Sequence, residues 1–237
     1  MSLSELREAV CEANVELVRA GLVTLSFGNA SGVDRDEGAV VIKPSGVAYA
    51  RLRPTDMVVV DLADGTIRAG AYRPSSDTPT HLALYRRYPS IGGVVHTHSS
   101  FASSWAQAGR PIPCLGTTHA DHFHGPVPVT RALNADEIEG DYERETGNVI
   151  IETLEGLGLD ALEMPAVLVR SHGPFTWGVG PADALANAVA LEAVAAMAHR
   201  TMSLEAAVEP ISALLLERHF ERKHGPAAYY GQSAEQG

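Results

Sequence analysis

Two histidines separated by one residue close an apolar run, Gly93-Val94-Val95-His96-Thr97-His98. Alternate side chains of a β-strand share a face, so His96 and His98 project together while Thr97 points away. Two imidazoles so placed at a strand end can chelate a divalent metal, although hydrogen bonding or burial explains most such pairs. Asp77, in Ser75-Ser76-Asp77, and His172, in Ser171-His172-Gly173-Pro174, would add a carboxylate and a third imidazole. Three nitrogens and one oxygen suit Zn2+, and Mn2+ or Co2+ fits the same donors. Taken singly, Asp77 reads equally well as a helix cap and His172 as a hydrogen-bonded turn residue.

Ligands distant in sequence converge only if strand ends and turns bring them together, so the elements come next. Ser2 to Gly21 reads as a helix. Ser2 and Glu5 form a capping-box pattern, Leu6, Val10, Ala13 and Leu17 share a face, and Gly21 supplies the stop. Short apolar runs at Val23–Leu25, Ala39–Ile42 and Met57–Leu62 predict strands. Thr78-Pro79 predicts a helix to about Tyr88, with Thr78 as cap and Pro79 at the first helical position. After the histidine strand, helices are expected at about Ser99–Ala108 and Asp141–Leu157. A strand at Ala166–Arg170 leads to the His172 turn. Pro181–Met202 is the clearest helix, and a last one runs from about Ile211 to His224. Strands interleaved with helices, undivided by linker or repeat, indicate α/β layers around a central sheet.

The 237 residues suffice for one sizeable core. With 18 basic and 29 acidic side chains the net charge is −11, which argues against general affinity for nucleic acid or membrane. Such a protein handles an anionic substrate through a small local site. Cys11 and Cys114 lack C-x-x-C spacing and suggest reduced thiols. No basic-then-apolar leader and no run of membrane-spanning length is evident, so a soluble, cytoplasmic protein is expected.

In order along the chain stand Leu22-Val23-Thr24, Gly28-Asn29, Ile42-Lys43-Pro44-Ser45-Gly46 and Pro74-Ser75-Ser76-Asp77-Thr78-Pro79-Thr80-His81. His96-Thr97-His98, Gly116-Thr117-Thr118-His119-Ala120-Asp121, Glu145-Thr146-Gly147-Asn148-Val149-Ile150 and Ser171-His172-Gly173-Pro174 follow. Arg222-Lys223-His224-Gly225 and Ala228-Tyr229-Tyr230-Gly231-Gln232 end the series. Together these segments resemble the L-ribulose-5-phosphate 4-epimerases of the class II aldolase/epimerase family, over nearly the whole chain. The resemblance implies a single domain over residues 1–237, with a three-layer α/β/α fold and a central, largely antiparallel or mixed sheet. It implies a homotetramer with active sites at subunit interfaces. It also implies a divalent metal, usually zinc, on Asp77, His96, His98 and His172. Related aldolases carry a catalytic Glu near the place of Asp77; the shorter carboxylate here reads as a ligand.

The resemblance further implies epimerisation of L-ribulose 5-phosphate and D-xylulose 5-phosphate at C4, as in arabinose or ascorbate catabolism. The C4 hydrogen is not acidic, so inversion requires cleavage of the neighbouring C–C bond, rotation of the aldehyde and re-addition on its other face. Asp121 and Tyr230 are then the two proton carriers, one per face. Gly28, Asn29, Lys43, Ser45, Gly46, Ser75 and Ser76 are expected to bind the phosphorylated substrate, with Thr117 and His219 as further positioning candidates. His122 and His124 depart from the aromatic residues expected after Ala120-Asp121 and add titratable nitrogens there. The alternatives are a class II sugar-phosphate aldolase, which releases its aldehyde, and a non-catalytic metal-binding assembly protein.

Overall fold

The computed structural model describes residues 2–226, 228 and 229. Helix α1 (Leu3–Arg19) leads into β1 (Gly28–Asp34), β2 (Ala39–Ile42), β3 (Val58–Asp61) and β4 (Ile67–Ala69). Then come α2 (Thr78–Arg87), β5 (Gly93–Thr97), α3 (Ser100–Ala108), α4 (Thr117–Ala120), α5 (Ala135–Glu139) and α6 (Tyr142–Gly156). Strands β6 (Ala166–Leu168) and β7 (Pro174–Gly178) precede α7 (Pro181–Leu204) and α8 (Ala213–His224). The strands form one seven-stranded sheet in the order β4-β3-β2-β1-β5-β7-β6, and every neighbouring pair is antiparallel.

The period-two rule sorts the sheet into two faces. Ala30, Val41, Val59 and Val95 meet Leu6, Val10, Ala13 and Leu17 of α1 and Ala184 and Ala188 of α7. Val40, Ile42, Val58, Val60 and Val94 meet Leu82 and Tyr85 of α2 and Ile150 and Leu154 of α6. Helices therefore cover both faces, and His96, two residues beyond Val94, points to the α2 side. The α1 start is built as its sequence predicts. The Ser2 amide donates to Glu5 Oε2 at 2.7 Å, and the Glu5 amide returns to Ser2 Oγ at 3.3 Å.

Three expectations are corrected. Val23–Leu25 is a turn, with the Phe27 amide bonded to the Thr24 carbonyl and Leu25 at φ 57° and 81% exposed. The strand begins instead at Gly28, in a segment whose Gly, Asn and Ser content resembles a loop. Distant core residues bond its polar groups: Asn14 bonds both the amide and the carbonyl of Ala30, and Ser31 Oγ lies 2.7 Å from His81 Nδ1 and 2.8 Å from Tyr85 Oη. Asp77, rather than Thr78, occupies the N-cap position of α2; Thr78 Oγ1 donates to the Ser75 carbonyl. Finally, α7 is long and apolar enough to cross a membrane, but it buries Leu191, Val194 and Ala195 in the core and accepts a hydrogen bond from Trp105 Nε1 at Ala195. Cys11 and Cys114 are free and buried.

One buried histidine gives a stability prediction. His119 is 4% exposed, with Nε2 2.8 Å from the Gly125 carbonyl, and burial pushes its pKa down from 6.5 to about 4. The unfolded chain binds this proton more readily, so the contribution is complete above pH 6.5 and is lost as the pH falls toward 4. The loss is about 3 kcal/mol for such a shift. His119→Gln keeps an N–H donor without titrating, so its urea midpoint should fall less than the wild type's between pH 7.5 and 5. Equal falls would contradict the assignment.

Candidate metal centre and substrate cavity

The end of β5, the turn before α2 and the β6–β7 hairpin meet around the histidine pair. His96 is 1% exposed, and its ring stacks on Phe175 at 4.1 Å between centroids. His96 Nδ1 lies 2.9 Å from the Pro174 carbonyl, an acceptor, so Nδ1 carries the proton and Nε2 presents a lone pair. That Nε2 faces His98 Nε2 at 3.1 Å. His172 arrives from the hairpin turn, where Ser171 has φ 61° and the His172 amide bonds the Val169 carbonyl. Gly173 lets this turn lie directly on β5, since a Cβ there would sit 2.7 Å from the Thr97 carbonyl oxygen. One ring nitrogen from each of His96, His98 and His172 falls within 4.8 Å of the others.

Burial holds all three imidazoles toward the neutral form, His96 down at about 4, which is the form that ligates metal. Asp77 stands beside them rather than within that compact triad. Its Oδ2 accepts from Asn29 Nδ2 at 2.6 Å, and it makes no cap bond to α2. Burial raises its carboxyl, but His96, His81 and the Asn29 amide outweigh this and keep it below the ordinary value. Asn29 Oδ1 is buried and has no hydrogen-bond partner among the described residues. Three neutral imidazoles converging beside a carboxylate form a donor set that fits a divalent cation.

The triad opens into a cavity of about 340 Å3. On its other walls stand Gly28, Ser45, Gly46, Ser75, Ser76 and Lys43. Lys43 is 3% exposed; its ammonium lies 4.6 Å above the Tyr49 ring and donates to the Pro44 carbonyl, with no ion pair among the described residues. Burial lowers its pKa. A buried cation without a counter-charge favours an anionic guest, and the hydroxyls and turn amides around it can hydrogen-bond phosphate oxygens.

The class II aldolase and adducin N-terminal domain family matches residues 8–199, most of the chain. This chain belongs to the class II aldolase family. The L-ribulose-5-phosphate 4-epimerase UlaF of Salmonella paratyphi C (strain RKS4594) is 56% identical to it, covering 97% of this chain and 100% of that relative. The protein of the same name from Salmonella choleraesuis (strain SC-B67) matches with the same identity and coverage. Among solved structures, an L-fuculose 1-phosphate aldolase superposes with a TM-score of 0.78 at 21% identity, over 94% of this chain and 97% of that one. YgbL of Klebsiella pneumoniae gives 0.70 at 25%, over 92% and 99%. The antiparallel sheet with helices on both faces is thus the class II aldolase fold.

In this family member the cavity lining unites Gly28, Asn29, Lys43, Ser45, Gly46, Ser75, Ser76, Asp77, His96, His98 and His172. Thr117, Asp121 and His219 are not part of that lining; they lie together where α4 meets α8. There Asp121 pairs with Arg222 and His219. Burial raises the Asp121 carboxyl, but hydrogen bonds from Arg222 and His219 outweigh this and hold it below its usual range. Burial pushes His122 down to about 4, and both its ring nitrogens lie 3.3 Å from Lys223 Nζ; His124 pairs with Glu217. Tyr230 lies outside the described residues.

Sequence reasoning missed Tyr142, whose Oη is 3.3 Å from His172 Nδ1. No ligand-type spacing marks a tyrosine at a helix start. An outer partner of this kind orients the ring and tunes its basicity. Tyr142→Phe should therefore weaken metal binding about 10- to 100-fold. Competition with a chelator measures this, and an unchanged affinity would rule out the orienting role.

Proposed function

We propose that the chain interconverts L-ribulose 5-phosphate and D-xylulose 5-phosphate by inverting C4 through retro-aldol and aldol steps. The observation that carries the reading is the convergence in one cavity of the histidine triad, Asp77 and Lys43, which has no ion pair among the described residues, on a chain 56% identical over 97% of its length to proteins named as this epimerase. That identity and the Asp at position 77 favour the epimerase over an aldolase. The undivided seven-stranded sheet supports reading residues 1–237 as one domain.

His96, His98 and His172, with Asp77, would hold the metal, and three nitrogens with one carboxylate favour zinc. Bound there, a divalent ion supplies Lewis acidity toward the substrate's ketone and adjacent hydroxyl. Lys43, with the Ser45, Gly46, Ser75 and Ser76 turns, seats the phosphate. Asn29 fixes the Asp77 carboxylate, and the His96 Nδ1 bond to Pro174 fixes that ring. Asp121 takes the C4 hydroxyl proton on one face as the C–C bond breaks, and Tyr230 returns a proton to the oxygen on the other after the aldehyde turns. Since Asp121 is not in its own chain's cavity lining, the α4–α8 corner reaches a neighbouring subunit's metal, with the homotetramer as the working unit.

The test is to incubate metal-loaded protein with L-ribulose 5-phosphate and assay D-xylulose 5-phosphate. Net release of a two-carbon aldehyde phosphate and dihydroxyacetone without the epimer would favour the aldolase instead.

A further inference from the structure

Lys43 enters the cavity wall just after β2, and the group that steadies its far end stands behind that wall. The Lys43 backbone is fixed locally, since the Ser75 amide donates to its carbonyl at 3.0 Å. A four-carbon stem still lets an ammonium swing. Here the ammonium lies 4.6 Å above the Tyr49 ring and donates to the Pro44 carbonyl at 3.2 Å. Tyr49 opens the single helical turn Tyr49–Arg51, is buried, and does not line the cavity. Its hydroxyl donates to the Gly28 carbonyl at 2.5 Å. Gly28 begins β1 and pairs with Thr97, the residue between His96 and His98. Burial and the nearby Asp77 charge raise the pKa of the phenol, so the hydroxyl remains a donor.

We propose that Tyr49 is a positioning residue for the substrate phosphate, its ring seating the Lys43 ammonium from behind and its hydroxyl tethering that ring to Gly28. The inference rests on the reading of this cavity as the seat of the phosphate. An aromatic face attracts a cation, more strongly where both are removed from water, yet leaves its positive charge and its donors in place. A carboxylate in the same position would cancel the charge that draws an anion. The ring therefore stabilises a buried cation without competing with the guest for it. Gly28 and Lys43 both line the cavity, and Tyr49 bonds the one and lies beneath the other, so a single side chain sets the spacing of two walls. Because it acts through Lys43, Tyr49 governs phosphate affinity rather than the metal.

Calorimetric titration of inorganic phosphate into metal-loaded protein tests this, read through KM for L-ribulose 5-phosphate where binding is too weak to titrate. The proteins are wild type, Tyr49→Phe, Tyr49→Leu, Lys43→Met and the double variant Lys43→Met/Tyr49→Leu. Tyr49→Leu should keep its metal and weaken phosphate by about tenfold. Its KM should rise in proportion while kcat changes by less than about threefold. Tyr49→Phe keeps the ring and should stay within about threefold of wild type in affinity. In the Lys43→Met background Tyr49→Leu should lose nothing further, because two residues that act through one contact are not additive. Unchanged affinity in Tyr49→Leu, equal losses in Tyr49→Phe and Tyr49→Leu, or a further loss in the double variant overturns the proposal. A measurement on wild type needs no variant to fold: the Tyr49 ring current should move the Lys43 ε-protons upfield of those of an exposed lysine, and an ordinary shift overturns the seat. The expected affinities in a protein that does not invert C4 support the Tyr49 seat and discard the proposed reaction. A wild type that neither binds phosphate nor inverts C4 overturns the proposal together with the reading beneath it.

Discussion

His96→Asn is expected to yield a folded protein that no longer retains one divalent ion per chain and has lost epimerisation by a factor on the order of 10^3. Lewis-acid stabilisation of developing oxygen charge is worth several kcal/mol, and each 1.36 kcal/mol is about tenfold in rate. Folding should survive because an asparagine amide can still donate toward the Pro174 carbonyl that His96 Nδ1 now engages, although the stack on Phe175 is lost. That loss costs about 1–3 kcal/mol, the ordinary range for a core substitution. Metal analysis and the epimerase assay on the same preparation check the prediction. Full activity without bound metal would refute it.

Asp121→Asn should do the opposite to metal: its content stays intact while turnover falls by a factor on the order of 10^2 or more, as when a general acid–base group is lost. Near-normal turnover would make the carboxylate purely an anchor for α8. Mixing the two variants examines the division of labour between subunits. If the α4–α8 corner serves a neighbour's metal, randomly mixed tetramers of His96→Asn and Asp121→Asn regain both groups at about a quarter of their sites. Activity then exceeds that of either parent. No recovery after verified subunit exchange would mean that metal and carboxylate belong to the same chain.

What the sequence made legible followed from local rules. The period of two placed His96 and His98 on one side of a strand, and the Ser2–Glu5 capping box formed as expected. The turn residues near Lys43 and Asp77 converged because strands β1, β2 and β5 bring their ends together. What stayed hidden depended on long-range partners. Gly28-Asn29-Ala30-Ser31 reads as a loop until Asn14, His81 and Tyr85, distant in sequence, are seen to bond the Ala30 amide and the Ser31 hydroxyl. Tyr142 gains significance solely from its position near His172. The separation of Asp121 from its own chain's histidine-lined cavity is tertiary information, and the pairing with Arg222 spans 101 positions.

The central claim is inversion at C4 by breaking and remaking a C–C bond. The direct measurement runs the reaction in deuterium oxide with metal-loaded protein and L-ribulose 5-phosphate, and reads the product by NMR. In a retro-aldol route the C4 hydrogen stays on carbon, carried by the aldehyde fragment as it turns. The account therefore predicts D-xylulose 5-phosphate that retains protium at C4. Deuterium at C4 in the epimerised product, or no epimer at all from fully loaded protein, would contradict it.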